Sequence, residues 1–292
     1  MVAIPVGLIL NAIFKGGLYG MVAMGLAISF GMLDIVNIAH PTLMVFSSYL
    51  LMMFAAVTDL PLEVGLLVFV PAFFVLGLLI YRFIGSTIGG ADQPIRMLVF
   101  FFGVALVVQM ISLFGWGSQW QSLEVFWAGR PLNLGWGVIL RLGYVVTMIM
   151  AVILYGAFEY VLRNTYFGLS IKSVAQNEEL ARVSAISPAR TKMVGFGISL
   201  AIVAIAGYFW GGIHLFSPFS GLHELGLVFS IVVLGGMGSV IGSLVGGVLI
   251  SVGMSLMGYY GSAPLVPAVP FIVILFVFFV RPAGLLGKGF RV

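Results

Sequence analysis

Asp34, Asn37 and His40 fall three residues apart within GMLDIVNIAHP, residues 31–41, between two long apolar stretches. An acid, an amide and an imidazole at that spacing share one face if the stretch is helical, and what they offer is charge and hydrogen bonding. Pro41 removes a backbone donor where a new helix would begin. Such a break frees carbonyls and amides, which at membrane depth survive only if buried in protein or lining water. Two readings fit. One is a corner between helices at the membrane face, with Asp34 capping and His40 satisfying a backbone group. The other is a discontinuous helix whose end, with Asn37, Ala39, His40 and Pro41, lines a solute pathway.

Covalent chemistry has no foothold. H-E-x-x-H, G-x-S-x-G and G-x-x-x-x-G-K-[ST] are all missing, and GLLGKG near the C-terminus lacks the spacing and hydroxyl of a phosphate loop. His40, His214 and His223 are scattered without the carboxylates a metal site needs, and cysteine is absent, which excludes disulfides and thiolate catalysis. An intramembrane enzyme therefore lacks a nucleophile and base. The isolated polar residues Lys15, Gln109, Glu159 and His214 sit within apolar stretches. Such groups are expensive in lipid and face a bundle interior, unless, as fits Lys15 and Glu159, they lie near a span end and snorkel.

The elements that position these residues follow from composition. The chain has 292 residues, 62% hydrophobic and 8% charged, with mean hydropathy +1.22; a soluble domain carries about a quarter charged residues. Apolar runs of helix length recur without period-2 alternation, so the expectation is an all-α integral membrane protein, one transmembrane domain over residues 1–292. Spans are expected at 6–32, 40–57, 62–82, 96–115, 141–162, 193–214, 225–238, 240–258 and 265–281. The run 225–238 is short and reads as a crossing or a half-helix turning at GGMGS, giving eight or nine transmembrane helices. The first run has no basic leader or A-x-A site and reads as a retained span. Arg163, Lys172, Arg182, Arg190 and Lys192, with Arg82, Arg96, Arg281, Lys288 and Arg291, put three segments, the C-terminal tail among them, in the cytoplasm, against Arg130 and Arg141 outside. Trp116, Trp120, Trp127 and Trp136 crowd the outer loop as interface anchors or a partly ordered lid.

Gly238, Gly242 and Gly246 recur every four residues, a smooth stripe for helix packing or a hinge, and Gly235, Gly236 and Gly238 suit a tight turn. GLYGMVAMGLAISFGMLDIVNIAHP and ELGLVFSIVVLGGMGSVIGSLVGGVLI each run from an apolar helix into a break, a sign of inverted repeats. The longest polar run, 163–192, carries Val174, Leu180, Val183 and Ile186 near helical spacing, with SPAR as a stop. A short amphipathic helix is expected there, docking a partner or packing on the membrane surface.

In four places the sequence resembles the permease subunits of ABC importers for branched-chain amino acids. DIVNIAHP resembles that family's N-F/I-A-H-G box, with Pro41 and Thr42 departing from it. FGLSIKSVAQNEELARVSAISPARTK resembles its cytoplasmic loop, and VLGGMGSVIGSLVGGVLI and RPAGLLGK its C-terminal glycine block and tail. The resemblance implies a type II-like importer permease with inverted-repeat character and broken helices in the inner membrane. It also implies a second homologous permease subunit, two cytoplasmic ATPase subunits holding ATP and Mg, and a periplasmic or extracellular solute-binding protein. This chain itself would bind no cofactor. Ala175, Gln176, Asn177, Glu178, Ala181, Ala185 and Ile186 fall in the matching ATPase-coupling loop, about 163–192, and Asn37, Ala39 and His40 beside the pathway. Relatives carry branched-chain and other amino acids, amides or urea, or small carboxylates. A stand-alone secondary transporter or channel is the alternative, and it would need a buried midmembrane carboxylate for which the sequence offers nothing better than Glu159.

Overall fold

A chain this apolar can satisfy its peptide groups in lipid only by pairing them within each span, and helices do so from end to end. The computed structural model describes residues 6–87, 93–135, 138–281 and 284–287. In order come α1 (Val6–Leu33), α2 (His40–Thr58), α3 (Leu62–Thr87), α4 (Gln93–Trp116), a small hairpin β1 (Pro131–Asn133) and β2 (Ile139–Arg141), and α5 (Leu142–Asn164). They are followed by α6 (Tyr166–Gln176), α7 (Glu178–Val183), α8 (Pro188–Ile213), α9 (Ser220–Gly235), α10 (Val240–Tyr260), a 3-10 turn (Ala263–Ala268) and α11 (Val269–Val280). Among the described residues eight helices are long and apolar enough to cross a membrane, with Ala263–Val280 counted as one, and α9 is a shorter apolar helix. Trp136, Lys288 and Arg291 lie outside the described residues.

Two expected boundaries shift. Pro188 occupies the first turn of α8, so SPAR starts a helix five residues before the expected span instead of stopping one; a fixed φ and a missing amide cost nothing at that position. Helix α9 begins at Ser220, not 225, and so takes in His223 and Glu224.

Helices α1 and α8 are the most buried, and glycine lets α1 serve as the hub. Where α1 crosses α10, a Cβ on Gly247 would lie 2.6 Å from the Gly20 amide nitrogen, and one on Gly20 would lie 3.0 Å from the Leu244 Cα. Without an oil–water driving force between helices in lipid, such close approach supplies the dispersion contact that holds them. Hydroxyls add polar ties. Tyr155 donates to the Gly20 carbonyl at 2.7 Å and lies 2.7 Å from Ser243 Oγ, joining α5, α1 and α10. Ser199 donates to the Gly25 carbonyl and Ser48 to that of Gly207, at 2.7 and 2.8 Å.

The segment between α4 and α5 is strapped across one end of the bundle. Gln121 and Phe216 exchange backbone bonds, Leu123 N–H donates to the Gly211 carbonyl, and Asn11 donates to the Ile139 carbonyl while accepting from the Arg141 amide. Trp127 is buried and donates to Tyr208 Oη at 3.2 Å, and Tyr208 donates to Glu63 at 2.7 Å. Trp116 stacks on Tyr49, whereas Trp120 is exposed. Of the described tryptophans, Trp127 belongs to an ordered cap. This is the hairpin end; α6 and α7 lie at the opposite end.

Candidate functional site: two broken helices and the segment that reaches them

Helix α1 stops at Leu33 because Asp34 enters the left-handed region at φ +56 and Ile35 N–H bonds back to the Ser29 carbonyl. That bond, from an amide six residues on, is a C-terminal cap made by the backbone, in a conformation Asp tolerates better than most residues. Asp34 is exposed and does not cap α2, whose N-cap is Ala39 with no side-chain bond. The stretch 34–39 is not helical, so Asp34, Asn37 and His40 do not share a face; only the latter two are buried. His40 Nε2 lies 2.9 Å from the Val22 carbonyl oxygen. Val22 stands eleven residues back along α1, about 16 Å at helical rise, about half the thickness of a bilayer core. Helix α2 thus begins beside the middle of α1, after a break in the helical chain.

The counterpart of this break is not GGMGS. Helix α8 ends at Ile213 and α9 begins at Ser220, a gap as long as that between Leu33 and His40. Its residues enter from the hairpin end, where Phe216 pairs with Gln121, and Ser220 Oγ accepts from the Ser217 amide at 2.9 Å as the new helix starts. The N-termini of α2 and α9 then abut: a Cβ on Gly221 would land on the Thr42 backbone and lie 2.8 Å from Thr42 Oγ1. Two breaks entering from opposite ends, with N-termini meeting between them, form an inverted arrangement. The positive ends of two helix dipoles converge there. At the two breaks and the helix ends beside them, both polar atoms of Asn37, Nδ1 of His40, Oγ1 of Thr42, Nε1 of Trp210 and Nδ1 of His214 are buried with no hydrogen-bond partner among the described residues. Each such group costs about 1–3 kcal/mol, a density of unmet polarity that a packing corner does not need. Ala39 and Pro41 are buried backbone of this junction.

Glycines of the C-terminal block divide by role. Gly235 ends α9 against Gly242 of α10, and a Cβ on Gly246 would lie 2.7 Å from the Ile231 carbonyl oxygen, so Gly242 and Gly246 serve helix packing. Gly238 is not on that stripe. With φ +86 it sits in the turn before α10, and a Cβ there would lie 2.9 Å from the Gly31 carbonyl oxygen. Gly236, at φ +99, is the cap of α9. Ser239 caps α10 by accepting from the Gly242 amide. Beyond α11 the tail returns: Leu285 and Leu286 N–H donate to the Leu234 and Gly235 carbonyls at 2.9 and 3.1 Å. These donors satisfy the last turn of α9.

The polar run contains two short helices, not one. Asn177 ends α6 and caps α7, its Oδ1 accepting from the Leu180 amide at 3.0 Å. Ala181 is buried and its carbonyl closes the segment by accepting from Ile186 N–H, while Ala185 takes φ +60. Ala175, Gln176, Asn177 and Ala185 are exposed, and Ile186 is half-buried. Glu178 is committed inward, paired with Lys192 of α8 and 4.0 Å from Arg182. Val174 is buried, but Leu180 and Val183 are 65% and 86% exposed. Leu180 and Val183 are therefore left uncovered by the described residues. A cavity of 660 Å³ joins Ala175 and Gln176 to Gly238 and Ser239 of the glycine turn, to Gly31 and Met32 at the end of α1, and to Leu286. Glu159 lines it, paired with Arg163 at the end of α5, as snorkelling implies.

Glu224 was missed by the sequence reading. It lies just beyond the first turn of α9 and is half-buried. The span expected to start at 225 left it in a loop.

Residues 8–279 match the family described as the branched-chain amino acid transport system permease component. The chain is 26% identical over 293 residues to the high-affinity branched-chain amino acid transport system permease protein LivH of Escherichia coli strain K12, covering 95% of this chain and 94% of the relative. It is 22% identical over 296 residues to BraD, the corresponding permease protein of Pseudomonas aeruginosa, covering 96% and 95%. A probable LivH permease of Methanocaldococcus jannaschii is 24% identical over 155 residues, 51% of this chain and 49% of the relative. No solved structure matches significantly. With helical breaks, glycine turn and polar segment all inside the matched region, the chain belongs to the permease-component family of branched-chain amino acid transport systems, a multi-pass membrane subunit of an ABC importer and not an enzyme.

Proposed function

We propose that this subunit carries a branched-chain or related amino acid inward across the inner membrane, with urea, an amide or a small carboxylate as alternative solutes. In this reading it pairs with a second homologous permease. Two cytoplasmic ATPases bind ATP and Mg and drive it, and an external binding protein supplies the solute. The α6–α7 end is the cytoplasmic one. Support comes from its cations: Arg82, Arg182, Arg190 and Lys192 surround Glu178 in a cavity of 380 Å³, and Arg163 and Lys172 line the neighbouring one. The C-terminal tail, bonded to the end of α9, lies there too.

The observation that carries this reading is the uncovered pair Leu180 and Val183 on a segment otherwise tied into the bundle. An ATPase seated on that pair would push on two levers. Through α6 and the 660 Å³ cavity it reaches the turn that holds α9 and α10. Through Glu178 and Lys192 it reaches α8, which carries the second break. Both broken helices thereby answer to one docking surface. Because the chain has no cysteine, Val183→Cys gives a single thiol. A membrane-impermeant maleimide should label it in inverted vesicles and not in right-side-out ones, and co-expressed ATPases should protect it. Labelling from the outside would overturn the orientation and the docking role together.

A further inference from the structure

At the α6–α7 end, Arg82, Arg182, Arg190 and Lys192 line a cavity of 380 Å³ in which Glu178 is the lining carboxylate. Glu178 is already committed, paired with Lys192 and 4.0 Å from Arg182. Arg82 and Arg190 are exposed and have no ion pair or hydrogen bond among the described residues. Like charges gathered around one cavity repel each other, and an anion between them removes the repulsion. The start of α8 adds to the same field. Pro188 and Ala189 line the cavity, and the N-cap Ser187 makes no side-chain bond, which leaves the positive end of the helix open.

The cavity lies where membrane spans end. Its lining includes Leu33, Arg82, Gln93 and Pro188, each at or within two residues of an end of the spans Val6–Leu33, Leu62–Ile84, Ile95–Trp116 and Pro188–Ile213. That is headgroup level. Beside it, α3 and α4 turn apolar side chains outward: Val75 and Leu79, each 50% exposed, share a face with Arg82 by their spacing, and Ile95 and Leu98 of α4 are exposed as well. In a bilayer such faces meet acyl chains, so a lipid lying along α3 brings its headgroup to the cavity.

We propose that this cavity binds a phosphate-bearing anion through Arg82 and Arg190, and that the apolar faces beside it direct the phosphate of an anionic phospholipid there. A guanidinium presents a planar fork of donors that matches phosphate oxygens two at a time, as an ammonium does not. Basic pockets between membrane helices on the cytoplasmic side take lipid headgroups on the same ground. Arg182 of α7 lines the cavity too, so an anion held there ties α7 to α3 and α8. It thereby steadies the segment that offers Leu180 and Val183 to an ATPase; this consequence rests on the docking reading, and the binding of the anion does not.

The test measures binding of phosphatidylglycerol with a fluorescent acyl chain to the purified full chain in uncharged detergent. Arg82→Gln with Arg190→Gln should weaken binding by about tenfold or more, at about fivefold for each cation removed near a membrane surface. Lys172→Gln with Arg281→Gln removes the same charge outside this cavity and should change binding by less than about twofold. Equal losses in the two pairs would mean general surface charge and overturn the site, as would unchanged binding in the first pair. Arg82→Lys with Arg190→Lys keeps the charge and should recover most of the affinity, which separates a lost contact from a lost fold. Inorganic phosphate then identifies the source. Displacement of the lipid at millimolar phosphate assigns the site to a soluble anion, failure to displace assigns it to the headgroup, and both keep a phosphate site. If neither lipid nor phosphate binds while the first pair loses copurifying ATPases, the cavity takes an acidic segment of that partner and the proposal fails. No ATPase or transported solute enters the binding measurement, so its failure leaves the importer reading standing.

Discussion

Two residues other than glycine sit in the left-handed region at functional joints, Asp34 at the end of α1 and Ala185 after α7. For an L-residue that conformation costs about 1–2 kcal/mol, less for Asp. Asp34 faces outward and its task is the backbone cap. Asp34→Gly is therefore expected to leave thermal stability in detergent unchanged or raised and transport intact, while Asp34→Val lowers stability by about 1 kcal/mol. Transport lost in Asp34→Gly with stability unaffected would show that the carboxylate itself matters. Tyr155 works differently, holding α1 and α10 through one hydroxyl. Tyr155→Phe keeps the ring and removes two bonds worth about 0.6 kcal/mol each in a membrane bundle. A drop of about 1 kcal/mol in unfolding free energy is expected.

Among the elements, α9 depends most on its neighbours. It is short, starts inside the bundle, and has its last carbonyls satisfied by the tail. Leu285→Pro removes the donor to the Leu234 carbonyl, at a cost of about 1 kcal/mol or more, whereas Leu285→Ala keeps it. Thermal unfolding that drops for proline and holds for alanine would establish the backbone role; equal effects would assign it to the side chain. The glycine crossing makes a harsher demand. Gly247→Leu would drive a side chain into the α1 backbone, and no flexible group is there to yield, so loss of folded protein on size-exclusion chromatography is expected.

At the scale of the whole molecule, two breaks of equal length enter from opposite ends and meet, and one exposed segment touches the walls that move them. The long spans were legible because runs of about 20 apolar residues admit one structure in lipid. DIVNIAHP was legible as a break through Pro41 and its polar neighbours. Its true counterpart, HLFSPF, was not, because between spans expected to end at 214 and start at 225 its serine and proline read as an ordinary connection, while GGMGS announces a turn. Glu224 was hidden by the same ambiguity: beside His223 it looked like loop, and only the start of α9 at Ser220 puts it on a helix. Two short helices stand in place of one amphipathic helix because Asn177 caps where periodicity alone runs on. Glu178, for its part, proved to be an internal partner of Lys192, which makes Leu180 and Val183 the better probes of docking.

The bond between the tail and α9 also orders events during synthesis. Leu285 and Leu286 emerge from the ribosome two helices after the one whose end they finish. Until then the carbonyls at Leu234 and Gly235 have no such donors, so that end of the bundle can mature only once α10 and α11 have been made.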